Sequence, residues 1–273
     1  MRPVSRHAAA ARRAAWGGGG LAGAAAASLG VLVAQAQIAR RAIGPQRTVP
    51  PYQDGRFGPA TGTSIRLAVI GDSGAAGLGA DTAADTVGGV LVRGVIEATG
   101  RPVLMTNHAV VGARSADLDR QVTRCLSLRP HVAVILIGAN DVTHLVPPHA
   151  AGASLAAAAT RLVESGTAVV VATCPDLGTI RPVGPPLRWI ARRMSRRMAA
   201  AQLSALEGTG AVGIPMADLL GPEFAANADT FFAADRFHPS GLGYRRIAAM
   251  ILPHVLTALG VRPAPGRAAI TAR

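Results

Sequence analysis

Ser73 stands where a hydroxyl becomes chemically useful, because the apolar run Leu67-Ala68-Val69-Ile70 delivers it through the turn Gly71-Asp72. A serine hydroxyl is a weak nucleophile until a base accepts its proton and N–H donors await the oxyanion formed on attack. The chain offers each partner at a separate place. In Asp235-Arg236-Phe237-His238-Pro239-Ser240, a carboxylate three residues before His238 can fix the tautomer of the imidazole and stabilise it when it takes up a proton. Gly112, closing Asn107-His108-Ala109-Val110-Val111-Gly112, can bring a bare backbone N–H close to a substrate oxygen. Asn140, in Gly138-Ala139-Asn140-Asp141, adds a neutral amide donor that polarises a carbonyl without giving up its proton. Asp141 is expected to cap the turn that follows, and Ser240 with Pro239 to open a helix. A nucleophile, a base with its carboxylate and two donors are the parts of an acyl-transfer site.

These residues converge only if the elements between them place them at one edge. Short apolar runs at 66–70, 102–106, 132–137, 168–173 and 211–214 read as buried strands. Helix-length segments at 86–98, 114–128, 150–164, 187–206 and 240–259 separate or follow them. Strand and helix in alternation predict an α/β fold, a parallel sheet covered on both faces by right-handed crossovers. In such a sheet, ligands bind beyond the carboxyl ends of the strands, where Ser73, Gly112, Asn140 and the Asp235–His238 loop all fall.

In those four blocks the chain resembles the SGNH hydrolase superfamily, the GDSL-type esterases and lipases. Gly71-Asp72-Ser73, Gly112, Gly138-Ala139-Asn140-Asp141 and Asp235-Arg236-Phe237-His238-Pro239 occur in the family's order, and the likeness runs from about residue 66 to residue 259. The position after the serine is Gly74 in place of the leucine of the alternative family name. The resemblance implies a flavodoxin-like, three-layer fold with a five-stranded parallel sheet of order 2-1-3-4-5. It also implies metal-independent, cofactor-free ester hydrolysis. Under it Ser73, Asp235 and His238 are the catalytic residues, and Ser73 N–H, Gly112 N–H and the Asn140 amide form the oxyanion hole. An acyltransferase that passes the acyl group to an envelope sugar or alcohol uses the same parts, and an idle carbohydrate- or lipid-binding domain retains the same sheet.

Composition excludes one other class. The formal charge is +13, yet all 28 basic residues are arginine, a bias that goes with abundant Ala and Gly in GC-rich genomes. Seven of the arginines precede the first acidic residue, Asp54, which leaves 21 against 15 acidic residues. Aromatic residues are 3% of the chain, too few for base-stacking platforms, so nucleic acid is not an expected partner. Cys125 and Cys174 fall at opposite ends of the expected sheet, a strand length of roughly 17–20 Å apart. That exceeds the roughly 7 Å Cα limit of a disulfide, so both are expected as free thiols.

Residues 1–43 carry a basic start, an uncharged run from Ala14 to Ala36 and the small-x-small site Ala34-Gln35-Ala36. That order belongs to a signal peptide or a retained membrane anchor, and it puts the main domain outside the cytoplasm. Residues 44–63, with four prolines, are expected as a linker, 64–260 as the hydrolase domain and 261–273 as a tail. The expected substrate is a small-molecule, lipid or glycan ester. The proline-rich segment 175–186 is the candidate wall of its pocket. The segment 187–198 sets Leu187, Ile190, Met194 and Met198 on one helical face and five arginines largely on the other. Such a helix either lies on an anionic membrane or packs its apolar face inward.

Overall fold

The structure, a computed structural model, describes residues 30–38, 41, 49–51 and 54–261. Six strands form one sheet: β1 (Gly55–Phe57), β2 (Ile65–Gly71), β3 (Val103–Asn107), β4 (Val132–Leu136), β5 (Ala168–Ala172) and β6 (Val212–Ile214), in the order β1-β3-β2-β4-β5-β6. The helices are α1 (residues 30–38), α2 (Ser73–Ala76), α3 (Val87–Thr99), α4 (Leu118–Leu126), α5 (Ala139–Thr143), α6 (Pro148–Glu164), α7 (Leu187–Leu206), α8 (Met216–Ala226), α9 (Ala228–Phe231) and α10 (Gly241–Ala258).

Strands β2 to β6 are parallel, and their order is the expected 2-1-3-4-5. The sixth strand corrects the expectation of five. β1 pairs antiparallel with β3, with Gly55 opposite Met105 and Phe57 opposite Val103, inside the stretch expected to be linker. Its outward residues Arg56 and Phe57 are exposed, so edge hydrogen bonds hold it and no alternation of apolar residues marks it. Asp54 fastens its start by accepting the backbone N–H of Asn107 at 2.6 Å, so the folded domain begins well before residue 64.

Both sheet faces are dry, which is why the central strands read as unbroken apolar runs. Leu67 and Val69 point to one face, under Val87, Leu91 and Val95 of α3 and Ile251 and Val255 of α10. Ala68 and Ile70 point to the other, under Leu118 and Val122 of α4 and Leu155 and Leu162 of α6. β2, at the centre, is therefore fixed in register from two sides, and so is the turn that ends it.

Helix α7 spans the expected residues. It packs along α6, with Met198 buried and Leu187 and Met194 half-buried, but Ile190 of the expected apolar face is exposed; of the five arginines Arg188 is half-buried and the other four are exposed. Helix α8 has no counterpart among the expected helices, because Gly221-Pro222 inside it reads as a break. Cys125 in α4 and Cys174 after β5 are free and buried. Burial pushes the Cys125 thiol up to about 12 and raises that of Cys174 as well. Among the described residues no helix is long and apolar enough to cross a membrane. Of the expected leader, only 30–38 and 41 are described; of the expected tail, only Val261.

Candidate active site

The end of β2 is a position only glycine can fill. Gly71 has φ +140°, and a Cβ there would stand 1.8 Å from the carbonyl oxygen of Leu136 on β4. That approach lets Asp72 N–H donate to the same carbonyl at 3.1 Å. The next residue, Ser73, opens the one-turn helix α2, which Asp72 caps by accepting the N–H of Gly74 at 2.9 Å. At the first helical position the N–H of Ser73 has no acceptor in its own helix. Burial raises the Asp72 carboxyl to about 6, although the Gly74 hydrogen bond and nearby His238 oppose the rise.

His238 arrives from the loop before α10. The loop is tightly turned: Ala233 N–H donates to the His238 carbonyl at 2.8 Å, and Arg236 adopts a positive φ of 56°. Ser240 caps α10, as expected, by accepting from Gly243 N–H at 3.2 Å. Asp235 Oδ1 accepts the backbone N–H groups of Phe237 and His238, both at 2.9 Å, while Oδ2 lies 2.6 Å from His238 Nδ1. The opposite ring nitrogen, Nε2, lies 3.1 Å from Ser73 Oγ. Burial acts to raise the Asp235 carboxyl, but the hydrogen bonds from His238 and the two backbone N–H groups prevail and hold it below its ordinary value. Phe237 presses edge-on against the imidazole, ring centres 4.8 Å apart, and His238 is 3% exposed.

The other two expected residues meet through Ala113. Asn140, in the first turn of α5, donates one amide N–H to Ala113 O at 3.0 Å and so keeps the second for a ligand. Gly112, one residue before that carbonyl, has φ +82°, is exposed, and among the described residues its N–H donates to nothing. Neither residue is hydrogen-bonded to Ser73 or His238. Both loops instead flank the end of β2, since Val110 N–H donates to Gly71 O and Leu136 pairs with Gly71.

Asp141 does not cap its own helix as expected. It is buried and accepts both the N–H and the hydroxyl of Ser115, which ties α5 to the Gly112 loop. Burial raises its carboxyl against those hydrogen bonds. Asp141 and His144 repeat the three-residue spacing of Asp235 and His238, but the Asp141 carboxylate faces Ser115 and His144 Nδ1 lies 2.8 Å from Asn140 O.

Three supports escaped the sequence reading. Gln121 of α4 bonds both sides of the Gly71 residue, and Gln202 of α7 joins Cys174 N–H to Ile137 O at the ends of β5 and β4. Tyr244 of α10 donates to Leu78 O at 2.7 Å, locking the histidine's helix to the segment after Ser73. A single buried polar residue on an amphipathic helix carries no mark of which strand it reaches.

Ser73 and His238 open into a cavity of about 130 Å³. Its walls are mostly apolar, with Leu177, Ile180, Met216, Leu220, Phe224 and Phe237 prominent. Of residues 175–186, expected as wall, Pro175, Asp176, Leu177, Thr179 and Ile180 line it and 181–186 do not; Met216, Leu220, Gly221 and Phe224 of α8 complete that side. Among the described residues no group of three His, Cys, Asp or Glu side chains is placed to hold a metal ion.

Residues 69–246 match the family model described as the GDSL-like lipase/acylhydrolase family. The chain belongs to that family. It is 36% identical over 233 residues to the GDSL-like esterase Rv1075c of Mycobacterium tuberculosis, covering 81% of this chain and 74% of the relative. Two solved structures share the fold: TesA, with a TM-score of 0.57 at 22% identity over 71% of this chain and 99% of that one, and the esterase EstA from Pseudoalteromonas sp., with 0.55 at 17% over 72% and 100%. The lipase/acylhydrolase from Enterococcus faecalis gives 0.54 at 20% over 75% and 100%. At these identities the solved structures speak for the fold, a mostly parallel α/β sheet flanked by helices.

Proposed function

We propose that this member of the family is a metal-independent serine ester hydrolase in which Ser73 is the nucleophile, His238 the general base and then acid, and Asp235 the group that orients the histidine. The observation that carries the reading is the unbroken row from Asp235 Oδ2 through His238 to Ser73 Oγ, at 2.6 and 3.1 Å, joining residues 165 positions apart beside an apolar cavity.

His238 Nε2 takes the Ser73 proton as Oγ bonds to the ester carbonyl carbon, and the carbonyl oxygen becomes an oxyanion. The N–H groups of Ser73 and Gly112 and the free N–H of Asn140 are its assigned donors. The carbon–oxygen bond to the alcohol then breaks, and the alcohol leaves with the proton from His238. A water, deprotonated by His238, attacks the acyl-serine; Ser73 recovers its proton and the acid departs. The apolar walls favour an acyl chain in the cavity. The basic and then uncharged order of residues 1–36 supports an exported or membrane-tethered enzyme acting outside the cytoplasm.

The test is a panel of p-nitrophenyl esters from acetate to palmitate, with acetylated sugars, assayed on the wild type and on Ser73→Ala. Hydrolysis of at least one ester by the wild type and none above background by the variant is expected. Activity that survives in Ser73→Ala defeats the nucleophile assignment.

A further inference from the structure

Across the turn Leu177–Thr179 from the Ser73 cavity lies a second cavity, of about 200 Å³, lined by Thr179, Arg181, Arg188, Trp189 and Arg192 among others. Thr179 borders both. Three guanidinium groups around one hollow repel one another, so their positions need an explanation.

The chain's own carbonyls hold two of them. Arg188 donates from Nε to Val183 O at 2.7 Å and from Nη2 to Arg181 O at 3.1 Å, and Arg181 donates from Nη2 to Ala225 O at 2.9 Å. Among the described residues neither is in an ion pair. Arg192 faces the buried Asp176 at 3.1 Å, but Asp176 also serves Arg196 at 3.5 Å. The neighbouring carboxylates are engaged or turned elsewhere. Asp218 pairs with Arg196 and Glu223 with Arg246, and Asp229 shares a neighbouring hollow with Arg181 but, among the described residues, forms no ion pair with it. The cluster is therefore left with surplus positive charge and with most of its N–H donors uncommitted.

We propose that Arg181, Arg188 and Arg192 form a binding site for a phosphate mono- or diester. Planar forks fixed by backbone carbonyls are pre-organised for tetrahedral oxyanions, and Trp189, 66% exposed at the rim, offers an apolar face to the carbon skeleton the phosphate carries. Helix α1 meets the same loop, because Gln35 donates to Pro185 O at 2.5 Å and accepts from Leu187 N–H at 3.2 Å. A phosphate on a lipid headgroup would meet the arginines beside the end of the uncharged N-terminal run. A phosphate on a soluble ester would need the arginines alone.

The experiment uses the full chain carrying Trp16→Phe, which leaves Trp189 as its single indole. Its fluorescence is followed on titration with glycerol 3-phosphate and, separately, with phosphatidylglycerol vesicles against phosphatidylcholine vesicles. A saturable, salt-weakened response in at least one arm is expected, with the dissociation constant raised about tenfold or more by Arg181→Gln with Arg188→Gln. Arg181→Glu alone, at an exposed position with one hydrogen bond, guards against misfolding of the double variant and is expected to weaken binding likewise. Arg193→Gln with Arg197→Gln removes equal charge from α7 outside the cavity and is expected to leave binding within about twofold. A response to glycerol 3-phosphate alone assigns a soluble ester, and one to phosphatidylglycerol alone a lipid headgroup. No saturable response in either arm, retained binding in the Arg181 variants, or equal loss in the Arg193/Arg197 protein overturns the site. Because ester hydrolysis is not read, the outcome is independent of the role given to Ser73.

Discussion

Gln121 grips Gly71 from both sides: its Oε1 accepts the Gly71 N–H at 2.7 Å, and its Nε2 donates to the Gly71 carbonyl at 2.9 Å. The glutamine is buried in α4, 50 residues further on, and the residue it grips ends β2 two positions before Ser73. A crossover helix thus sets the height at which the Ser73 turn leaves the sheet. Gln121→Leu preserves most of the volume and leaves a buried N–H without an acceptor, at a cost of about 1–3 kcal/mol. Urea denaturation is expected to show that loss, with a fall in ester turnover beside it. Wild-type stability in the variant contradicts the clamp.

Asn140 gives one amide N–H to Ala113 and is assigned the other for the oxyanion. Its removal withdraws a donor that matters most once charge has developed, so Asn140→Ala is expected to lower kcat by about 100- to 1000-fold with little change in KM. Steady-state kinetics on the best p-nitrophenyl ester measure the split. A loss carried mainly by KM would move Asn140 from the oxyanion hole to substrate binding.

Asp235 has two duties, and one substitution separates them. In Asp235→Asn the remaining Oδ1 can still accept the N–H groups of Phe237 and His238, so the loop keeps its turn. The amide nitrogen then faces His238 Nδ1 and favours the tautomer with its proton on Nε2, the atom proposed to receive the Ser73 proton. Turnover is expected to drop by about 10,000-fold in a protein with an unchanged thermal midpoint. Turnover within tenfold of wild type would remove Asp235 from the orienting role.

Much of this arrangement was legible in the sequence, for identifiable reasons. β4 and β5 announce themselves because both faces of the sheet are covered, so every residue from Val132 to Leu136 is buried and apolar. Asp235 and His238 lie on one short loop, so their spacing was informative; linking them to Ser73 needed the rule that functional groups collect at the carboxyl ends of parallel strands. β1 was missed since three residues held by backbone pairing leave no alternation to read. α8 was hidden by Gly221-Pro222, yet Gly221 sits where a Cβ would come within 3.2 Å of Asp176, so closeness to the wall of the site explains the residue that disguised the helix. The clamps of Gln121 and Gln202 were illegible because they act across 50 and 65 residues.

Asp72 makes the site's stability depend on pH. Its carboxyl rises from 3.8 to about 6 on burial, so the folded state holds this proton more tightly than the unfolded chain does. The wild type accordingly has the benefit of the protonated form below about pH 4 and loses it as pH rises through 6. Asp72→Asn keeps an oxygen to cap Gly74 and does not titrate. Its stability relative to wild type is expected to be more favourable at pH 8 than at pH 4 by about 2 kcal/mol. Paired urea titrations at the two pH values check this; an equal difference at both contradicts the raised carboxyl.

The proposed ester hydrolysis needs a Ser73 hydroxyl made nucleophilic by His238, and labelling by a fluorophosphonate followed by peptide mass analysis tests that most directly. The wild type is expected to carry the phosphonyl group on Ser73, and Ser73→Ala and His238→Gln to carry none under the same conditions. A folded wild-type protein that stays unlabelled, or a His238→Gln protein that labels at the wild-type rate, contradicts it.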